Sequence, residues 1–262
     1  MLKNSDWKFS FDFLALGILS IAFMKWMSLR RDPERGKKQI PFFYFLSPIY
    51  ALPTWEKSRK KVPGDLKKLS TRLVPILFTT VLLLSIYYPL ITKFKIPLLL
   101  KSYLAIFPLY SLTELVGVII QILFLSTGWL LPPTHQSPLR SQNLSDFWGR
   151  HWNPWMANWL KQVIYVPLRN KPWTGVFTVF LISGVWHEFL INLPLYYEQG
   201  TSLFGTMILY FLIQGVGVWI DKFYLQKKSR QWRFAFLWAI VILPVPLFMN
   251  EATLRIFHLY QL

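Results

Sequence analysis

The segment VFTVFLISGVWHEFLINLPL, residues Val176–Leu195, decides the fold. About 20 mostly apolar residues are enough to cross a bilayer as a helix. Two ionisable residues, His187 and Glu188, lie within this apolar stretch. Such residues are costly inside a membrane, and an intramembrane ionisable residue is a functional hypothesis by default. The segment therefore predicts both a membrane helix and a candidate site.

The composition of the whole chain supports the same interpretation. The 262 residues are 53% hydrophobic and only 16% charged, whereas about 25% is typical of soluble domains. The 13 Trp, 12 Tyr and 22 Phe residues fit aromatic anchoring at membrane interfaces. Cysteine is absent from the sequence, which excludes disulfides, thiol catalysis and Cys-ligated metals. We predict an all-α, multi-pass integral membrane protein with a single domain, residues 1–262.

Hydropathy predicts about six spans, joined by interfacial or re-entrant helices. The predicted spans are Phe11–Met27, Leu73–Ile91, Tyr103–Leu131, Thr174–Leu195, Leu203–Ile220 and Phe234–Met249. The apolar stretch Gln39–Leu52 is broken by prolines and is a candidate re-entrant segment. Met1–Ser10 has no small-residue cleavage site after it, so we expect an uncleaved anchor.

The net charge is +17, and most of the basic residues lie in stretches that alternate with the predicted spans. Of 29 Lys and Arg residues, 23 lie in the three stretches Lys25–Arg72, Leu131–Lys171 and Asp221–Arg233. These stretches alternate with apolar spans, as cytosolic loops do under the positive-inside rule. Both termini would then lie on the opposite side. We expect membrane lipids with anionic head groups as partners, and no nucleic acid, because no recognition motif accompanies the charge. A bacterial inner membrane and an endoplasmic reticulum fit equally well.

The segment SDFWGRHWNPWMANWLKQVIYVPL, Ser145–Leu168, differs from an ordinary loop. Its tryptophans at 148, 152, 155 and 159 are spaced by 4, 3 and 4 residues, which predicts one face of an amphipathic helix at the interface. Ser145 is the expected N-cap. Asn153 could hold a carbonyl or hydroxyl group, and Arg150 could bind a phosphate. The alternative is a lipid-surface helix without chemistry.

His187 is the strongest candidate for chemistry. A neutral imidazole can take a proton from a hydroxyl group and return it elsewhere. Ser183 lies one turn earlier on the same face, and Gly184 is expected to leave room for a ligand. Glu188 points about 100° away on the helix, so we expect it to pair with another helix or to tune the site at a distance. The alternative is a histidine that only hydrogen-bonds between packed helices. No second histidine follows at helical spacing, so no metal site is predicted.

Glu114 is a second acidic residue within a predicted span. With Ser111 and Gln121 it forms a polar stripe on the third span. The stripe could line a cavity or lock helix packing, and the sequence favours neither. His135 and His258 are loop or tail residues with no case for chemistry.

Two motifs together resemble a known family. SDFWGRHWN at Ser145–Asn153 and SGVWHE at Ser183–Glu188 are similar to motifs of the membrane-bound O-acyltransferase superfamily, in its wax synthase-like branch. The resemblance is best over Asn143–Asn192. His151 stands where that branch commonly has Arg, and the chain is shorter, with fewer spans, than is usual in the family.

The resemblance implies acyl transfer from acyl-CoA, as co-substrate, to the hydroxyl of a lipophilic alcohol, long-chain or sterol-like. His187 would be the general base and Asn153 the second motif residue, in a buried reaction tunnel. The expected substrate-binding residues are Trp152, Ser183, Glu114 and Arg150. Lys161 and Arg169 would join Arg150 near the CoA phosphates. No resident cofactor is expected.

Two other functions stay open. One is a proton-coupled transporter in which Glu114 and His187 relay protons, although inverted repeats, which are usual in secondary transporters, are not evident in the sequence. The other is a non-catalytic, reduced member of the family.

Overall fold

The computed structural model describes residues 4–31, 42–94, 96–200 and 202–260. Within these ranges, six helical segments are long and apolar enough to cross a membrane, which confirms the predicted number. They are Lys8–Arg31, Asp65–Lys93, Leu98–Leu125, Pro172–Gln199, Thr206–Tyr224 and Arg230–Phe248. They are called the first to sixth spans below. The protein is an all-α, multi-pass membrane protein, as expected.

The ends of the first three spans differ from those expected. The first helix, Asn4–Arg31, starts before the apolar run and includes most of the predicted anchor, whose residues 1–3 lie outside the described ranges. The helix Asp65–Lys93 begins after Gly64. The helix Leu98–Leu125 ends six residues earlier than expected. Gly128, with φ 83°, turns the chain there, and the next residues form the strand β2.

Two short strands tie the loops at this end of the spans together. β1, Arg59–Lys60, pairs antiparallel with β2, Trp129–Leu130. β1 precedes the second span and β2 follows the third, so the pairing joins their ends.

The last three spans contain irregular turns. The fourth consists of the α-helix Pro172–His187, the π-helical turn Glu188–Asn192 and the α-helix Leu193–Gln199. The fifth is the single helix Thr206–Tyr224. The sixth is divided into Arg230–Ile242 and Val245–Phe248, and the helix Glu251–Ile256 follows.

Two short helices, Phe42–Leu46 and Leu52–Trp55, lie between the first and second spans. Lys25 Nζ donates hydrogen bonds to the carbonyl oxygens of Tyr44 and Phe45, each at 2.8 Å, and of Ser47 at 2.5 Å. A buried lysine of the first span thus holds the carboxyl end of the first short helix. Residues 39–41 of the candidate re-entrant segment lie outside the described ranges. The helix Phe42–Leu46 has five residues and is about 7.5 Å long, which is too short to cross a bilayer. A re-entrant segment does not have to cross it, so re-entry stays a prediction.

The tryptophan-rich segment is not one amphipathic helix, so that prediction was wrong. It is divided into Leu144–Asp146, the π-turn Phe147–His151, the helix Pro154–Leu160, the π-turn Lys161–Tyr165 and the 3-10 turn Val166–Leu168. The break at Asn153, where φ is 41°, rotates the tryptophans into different clusters. Trp148 packs against Phe211 of the fifth span, and Trp152 packs against Phe147 and His135. Trp155 and Trp159 are buried in two other clusters, at 3% and 2% exposure. Burial of these rings within the protein also argues against a lipid-surface helix.

The N-cap of this segment was also assigned wrongly. Asn143 caps it, because its side-chain oxygen accepts a hydrogen bond from the Asp146 backbone N–H at 2.9 Å. Ser145 lies inside the first turn, and its side chain is exposed.

The fourth and fifth spans pack closely at Gly184. A Cβ atom on this residue would lie 2.7 Å from the Ile208 Cα atom of the facing helix. The expectation that Gly184 leaves room for a ligand is therefore wrong, because the backbone of the fifth span occupies that space. The close approach places the fifth span directly beside His187.

Candidate active site

The His187 ring is held by its own helix and by two aromatic rings. Nδ1 lies 2.7 Å from the Ser183 backbone carbonyl oxygen. The ring centroid lies 4.6 Å from that of Phe211 and 5.4 Å from that of Phe248. Nε2 has no hydrogen-bond partner within the part of the chain that the structure describes. The side chain therefore has one nitrogen bound to the helix and one available nitrogen.

Glu188 faces the fifth span, as expected from its angular offset. The carboxylate accepts hydrogen bonds from the backbone N–H groups of Gly205 and Met207, each at 2.8 Å, and of Ile208 at 3.2 Å. A carboxylate at a helix N-terminus satisfies free N–H groups and interacts favourably with the helix dipole. Glu188 is 4% exposed. Its role is thus to fix the start of the fifth span relative to His187.

Two asparagines extend this polar cluster. Asn192 Nδ2 donates to Glu188 Oε2 at 2.5 Å, and Asn250 Nδ2 donates to Asn192 Oδ1 at 3.0 Å. Asn250 also donates to Thr206 Oγ1 at 3.0 Å. The cluster joins the fourth span, the start of the fifth and the chain after the sixth, so the wall of the His187 site is rigidly connected.

Both sequence motifs contain or precede a π-helical turn. One is Phe147–His151 in the first motif, and the other is Glu188–Asn192, directly after His187. Such turns are rare and often occur at functional sites, because they redirect side chains without ending the helix.

The fifth span brings the two motifs together. Trp148 Nε1 donates to Gln214 Oε1 at 3.3 Å, and the Trp148 ring lies 5.8 Å from that of Phe211. Phe211 is the residue that also contacts His187. Trp148 of the first motif and His187 therefore contact the same phenylalanine.

Asn153 adopts an unusual backbone conformation. Its φ of 41° is in the left-handed region, which costs a non-glycine residue about 1–3 kcal/mol and is found preferentially at functional sites. The Oδ1 atom accepts from the Met156 backbone N–H at 3.2 Å and caps the helix Pro154–Leu160. Its Nδ2 has no hydrogen-bond partner in the described ranges. One part of the amide is thus structural, and the other is available to a ligand.

Glu114 lies in a separate cluster with His135. Glu114 Oε1 is 2.9 Å from His135 Nδ1, and Oε2 is 3.7 Å from an Nη atom of Arg72. The His135 ring packs edge-on against Trp152, with centroids 4.7 Å apart, and against Tyr110 at 5.5 Å. His135, for which the sequence offers no case for chemistry, is buried and links the third span to the first motif.

The other members of the polar stripe bind protein groups. Ser111 Oγ lies 2.6 Å from Thr80 Oγ1 of the second span, and Gln121 Nε2 donates to the Leu131 carbonyl oxygen at 2.7 Å. Helix packing is therefore the role of Ser111 and Gln121.

The predicted site residues thus fall into three places. Ser183 lies with His187, and its backbone oxygen makes the contact. Trp152 and Glu114 are joined through His135. Arg150 lies farther out, where its Nε donates to Asp146 Oδ1 at 2.6 Å. Sequence reasoning missed Gln214, which is completely buried in the fifth span; the signal that could have found it is a polar residue within an apolar helix.

The six apolar helices and their packing define an integral, multi-pass membrane protein. Residues 131–213 match the model of the "Membrane bound O-acyl transferase family". This region of the chain is similar to that family.

Similar proteins point to the same branch. The chain is 32% identical over 114 residues to "Probable long-chain-alcohol O-fatty-acyltransferase 3" of Arabidopsis thaliana, a match covering 39% of this chain and 32% of the relative. Identity to "Probable long-chain-alcohol O-fatty-acyltransferase 7" is 31% over 118 residues, covering 41% and 34%. Identity to "Acyl-CoA--sterol O-acyltransferase 1" of the same plant is 26% over 113 residues, covering 40% and 32%. The chain thus covers about a third of the length of these relatives.

Proposed function

We propose that this protein is an O-acyltransferase that moves a fatty acyl group from acyl-CoA to the hydroxyl of a lipophilic alcohol. The observation that carries the proposal is the environment of His187. Its Nδ1 faces a carbonyl oxygen 2.7 Å away, and a carbonyl can only accept hydrogen bonds. In the neutral ring the proton is therefore on Nδ1, and Nε2 has the lone pair that a general base needs.

The reaction then needs no resident cofactor. Nε2 of His187 takes the hydroxyl proton of the alcohol as its oxygen attacks the thioester carbonyl carbon. The new C–O bond forms and the C–S bond breaks. The proton on Nε2 passes to the departing sulfur, so the products are an ester and free CoA thiol, and the imidazole is neutral again.

Asn153 is the second catalytic residue in this proposal. Its Nδ2 would donate a hydrogen bond to the thioester carbonyl oxygen, where negative charge develops. Capping by Oδ1 orients the amide. The left-handed backbone at this position supports a functional role, because the turn holds the amide at a defined angle to the first motif.

The transporter hypothesis required Glu114 and His187 to exchange protons. The contacts of Glu114 are with Arg72 and His135, whereas those of His187 are with Ser183, Phe211 and Phe248. The two residues share no partner in the described ranges, so these contacts favour acyl transfer.

Purified protein in lipid nanodiscs tests the proposal. It should be incubated with a long-chain acyl-CoA and a panel consisting of a long-chain alcohol, a sterol and a diacylglycerol. We expect an ester with at least one alcohol and one CoA thiol released per ester. Absence of ester with every acceptor, from folded protein, would refute the proposal.

A further inference from the structure

The sixth span is broken close to the His187 site. The α-helix Arg230–Ile242 ends at the break, and the short helix Val245–Phe248 begins after Leu243 and Pro244. Pro244 has no backbone N–H with which to continue the helix. Within a membrane, unsatisfied backbone groups are costly, so irregular backbone is tolerated only where it is buried in protein or lines a cavity. The break therefore has to be supported by its neighbours.

The third and fifth spans support the break through side-chain donors. Each donor binds one backbone carbonyl oxygen of the sixth span or of the residue just after it. Gln214 Nε2 donates to Ile240 at 2.8 Å, the Tyr210 hydroxyl to Val241 at 3.3 Å, the Tyr103 hydroxyl to Leu243 at 2.8 Å and Ser102 Oγ to Met249 at 2.6 Å. Hydrogen bonds from two different helices thus define the path of the broken segment. The side chains of this segment are therefore held in defined places.

Phe248, the last residue of the short helix, contacts His187. Its ring centroid lies 5.4 Å from that of the imidazole and 5.2 Å from that of Tyr210. The side chain also borders three hydrophobic clusters: one around the second and third spans, one around the first motif and the fifth span, and one around the first and fourth spans. Phe248 is nevertheless only partly buried. The ring thus lies where the three clusters meet, beside the imidazole, and part of its surface is uncovered.

Phe211, the other ring at His187, is placed differently. It is 4% exposed, lies within a regular helix and also contacts Trp148 of the first motif. Phe248 belongs to neither motif and lies outside residues 131–213, the region that is similar to the acyltransferase family. A change in the size of Phe248 would therefore alter the space beside His187 and leave the contact between Phe211 and the first motif in place.

We propose that Phe248 determines which alcohols reach His187, with an unbranched long-chain alcohol favoured over a sterol. The proposal rests on the proposed acyl transfer. A hydroxyl must come within about 2.6–3.2 Å of Nε2 to lose its proton, so the carbon atoms next to it have to pass the rings that flank the imidazole. A flexible chain fits a narrow passage beside the Phe248 ring, whereas fused rings need a wider one. Phe248 is thus a specificity residue and takes no part in proton transfer.

Competition between two alcohols tests the proposal. A long-chain alcohol and a sterol are offered together, at equal concentrations, with one acyl-CoA, and the ratio of the two esters gives the ratio of their kcat/KM values. We expect Phe248→Ala to shift this ratio toward the sterol by at least about tenfold, the scale on which an apolar pocket discriminates one methylene. Phe248→Leu, which keeps an apolar side chain of intermediate size, should shift it less. Loss of folded protein lowers both esters equally and leaves the ratio unchanged.

Phe257→Leu is the matched control for Phe248→Leu. Phe257 is also a partly buried phenylalanine and borders two of the same clusters, but its ring packs against Phe13. The ester ratio of this variant should equal that of wild type. An unchanged ratio in both Phe248 variants, or an equal shift with Phe257→Leu, would overturn the proposal.

Photoreactive analogues of the two alcohols separate this proposal from the proposed function, because labelling of the protein in nanodiscs needs no acyl-CoA. Only labelling that an excess of the same unlabelled alcohol prevents is counted. We expect Phe248→Ala to raise labelling by the sterol relative to the long-chain alcohol. If the wild-type protein forms no ester with either alcohol, the proposed function fails. The labelling ratio then still tests the role of Phe248, and an unchanged ratio would refute it.

Discussion

Nδ1 of His187 and the backbone carbonyl oxygen of Ser183 are 2.7 Å apart, one helical turn from each other. The contact selects the tautomer of the neutral imidazole, because the carbonyl requires a proton on Nδ1. The helix thereby directs the basic nitrogen, Nε2, away from its own backbone.

Substitution of His187 tests its catalytic role. We expect His187→Ala to lower kcat by about 10²–10⁴-fold, the usual contribution of a general base. Ester formation from labelled acyl-CoA is the measurement, and thermal unfolding in detergent should verify that the variant is folded. A folded His187→Ala protein with wild-type kcat would contradict the mechanism.

Ser183→Ala separates two roles of the neighbouring serine. If only its carbonyl matters, the variant keeps the His187 contact, and kcat stays near that of wild type. If the hydroxyl binds substrate, as the sequence suggested, KM rises while kcat changes little. Steady-state kinetics with varied alcohol distinguishes these results. A fall in kcat as large as that of His187→Ala would contradict both.

The Glu188 carboxylate should contribute strongly to stability. Oε1 of Glu188 accepts from three backbone N–H groups and Oε2 accepts from Asn192 Nδ2, whereas Glu188→Gln removes the charge and puts an NH2 group, which cannot accept, in place of one of these oxygens. Loss of hydrogen bonds to a buried charged group costs about 1.5–3 kcal/mol each, so we expect a clear drop in thermal unfolding temperature.

Glu198→Gln is the matched control, since it is the same substitution in the same span. Glu198 pairs with Lys8, an exposed residue, and such pairs contribute little. Equal unfolding temperatures for Glu188→Gln and wild type would show that the polar cluster is not important for stability.

The close contact at Gly184 predicts that a single methyl group is destabilising. Gly184→Ala places Cβ 2.7 Å from Ile208 Cα, and forced separation of packed elements costs about 1–3 kcal/mol. Gly17→Ala, in the first span, has no atom within 4 Å of the new Cβ and should be neutral or slightly stabilising. Thermal unfolding of both variants measures the difference. Equal stability of the two would mean that the fourth and fifth spans do not pack as described.

The Glu114–His135 contact can be measured by a double-mutant cycle. We expect Glu114→Gln and His135→Ala to be coupled by about 0.5–3 kcal/mol in stability, as is usual for residues in contact. His151→Ala is the control, because His151 contacts Asp146 rather than Glu114, and its effect should add to that of Glu114→Gln. If the effects of Glu114→Gln and His135→Ala on stability are simply additive, the contact between the two side chains is contradicted.

Liposomes test the transporter hypothesis with the same substitution. We expect protein-dependent proton flux, read by an internal pH dye, to be negligible in wild type and unaffected by Glu114→Gln. A flux that Glu114→Gln abolishes would instead favour proton transport.

Much of the architecture could be predicted because it depends on local composition. A run of about 20 apolar residues forms a membrane helix wherever it lies in the chain, so all six spans were predicted. The orientation of Glu188 away from His187 also follows from helix geometry alone. The ends of the spans were less predictable, because turns such as that at Gly128 and the pairing of Trp129–Leu130 depend on distant residues.

The tryptophan-rich segment shows where periodicity fails. Its spacing of 4, 3 and 4 is ideal for one helical face, yet the left-handed Asn153 and two π-turns direct its rings into separate clusters. Each ring is buried by a partner far away in sequence, and that tertiary burial outweighs the local pattern.

The sequence by itself determined that this is a helical membrane protein, because hydropathy is a local property. It also identified the two motifs that contain Asn153 and His187, because motif spacing is local as well. Only the tertiary structure decided which residues meet. It brought Phe211 into contact with both Trp148 and His187, the Glu188 carboxylate onto the backbone of Gly205 and Met207, and His135 beside Glu114. These contacts join residues up to tens of positions apart, and they depend on how closely the helices approach, which no local pattern contains.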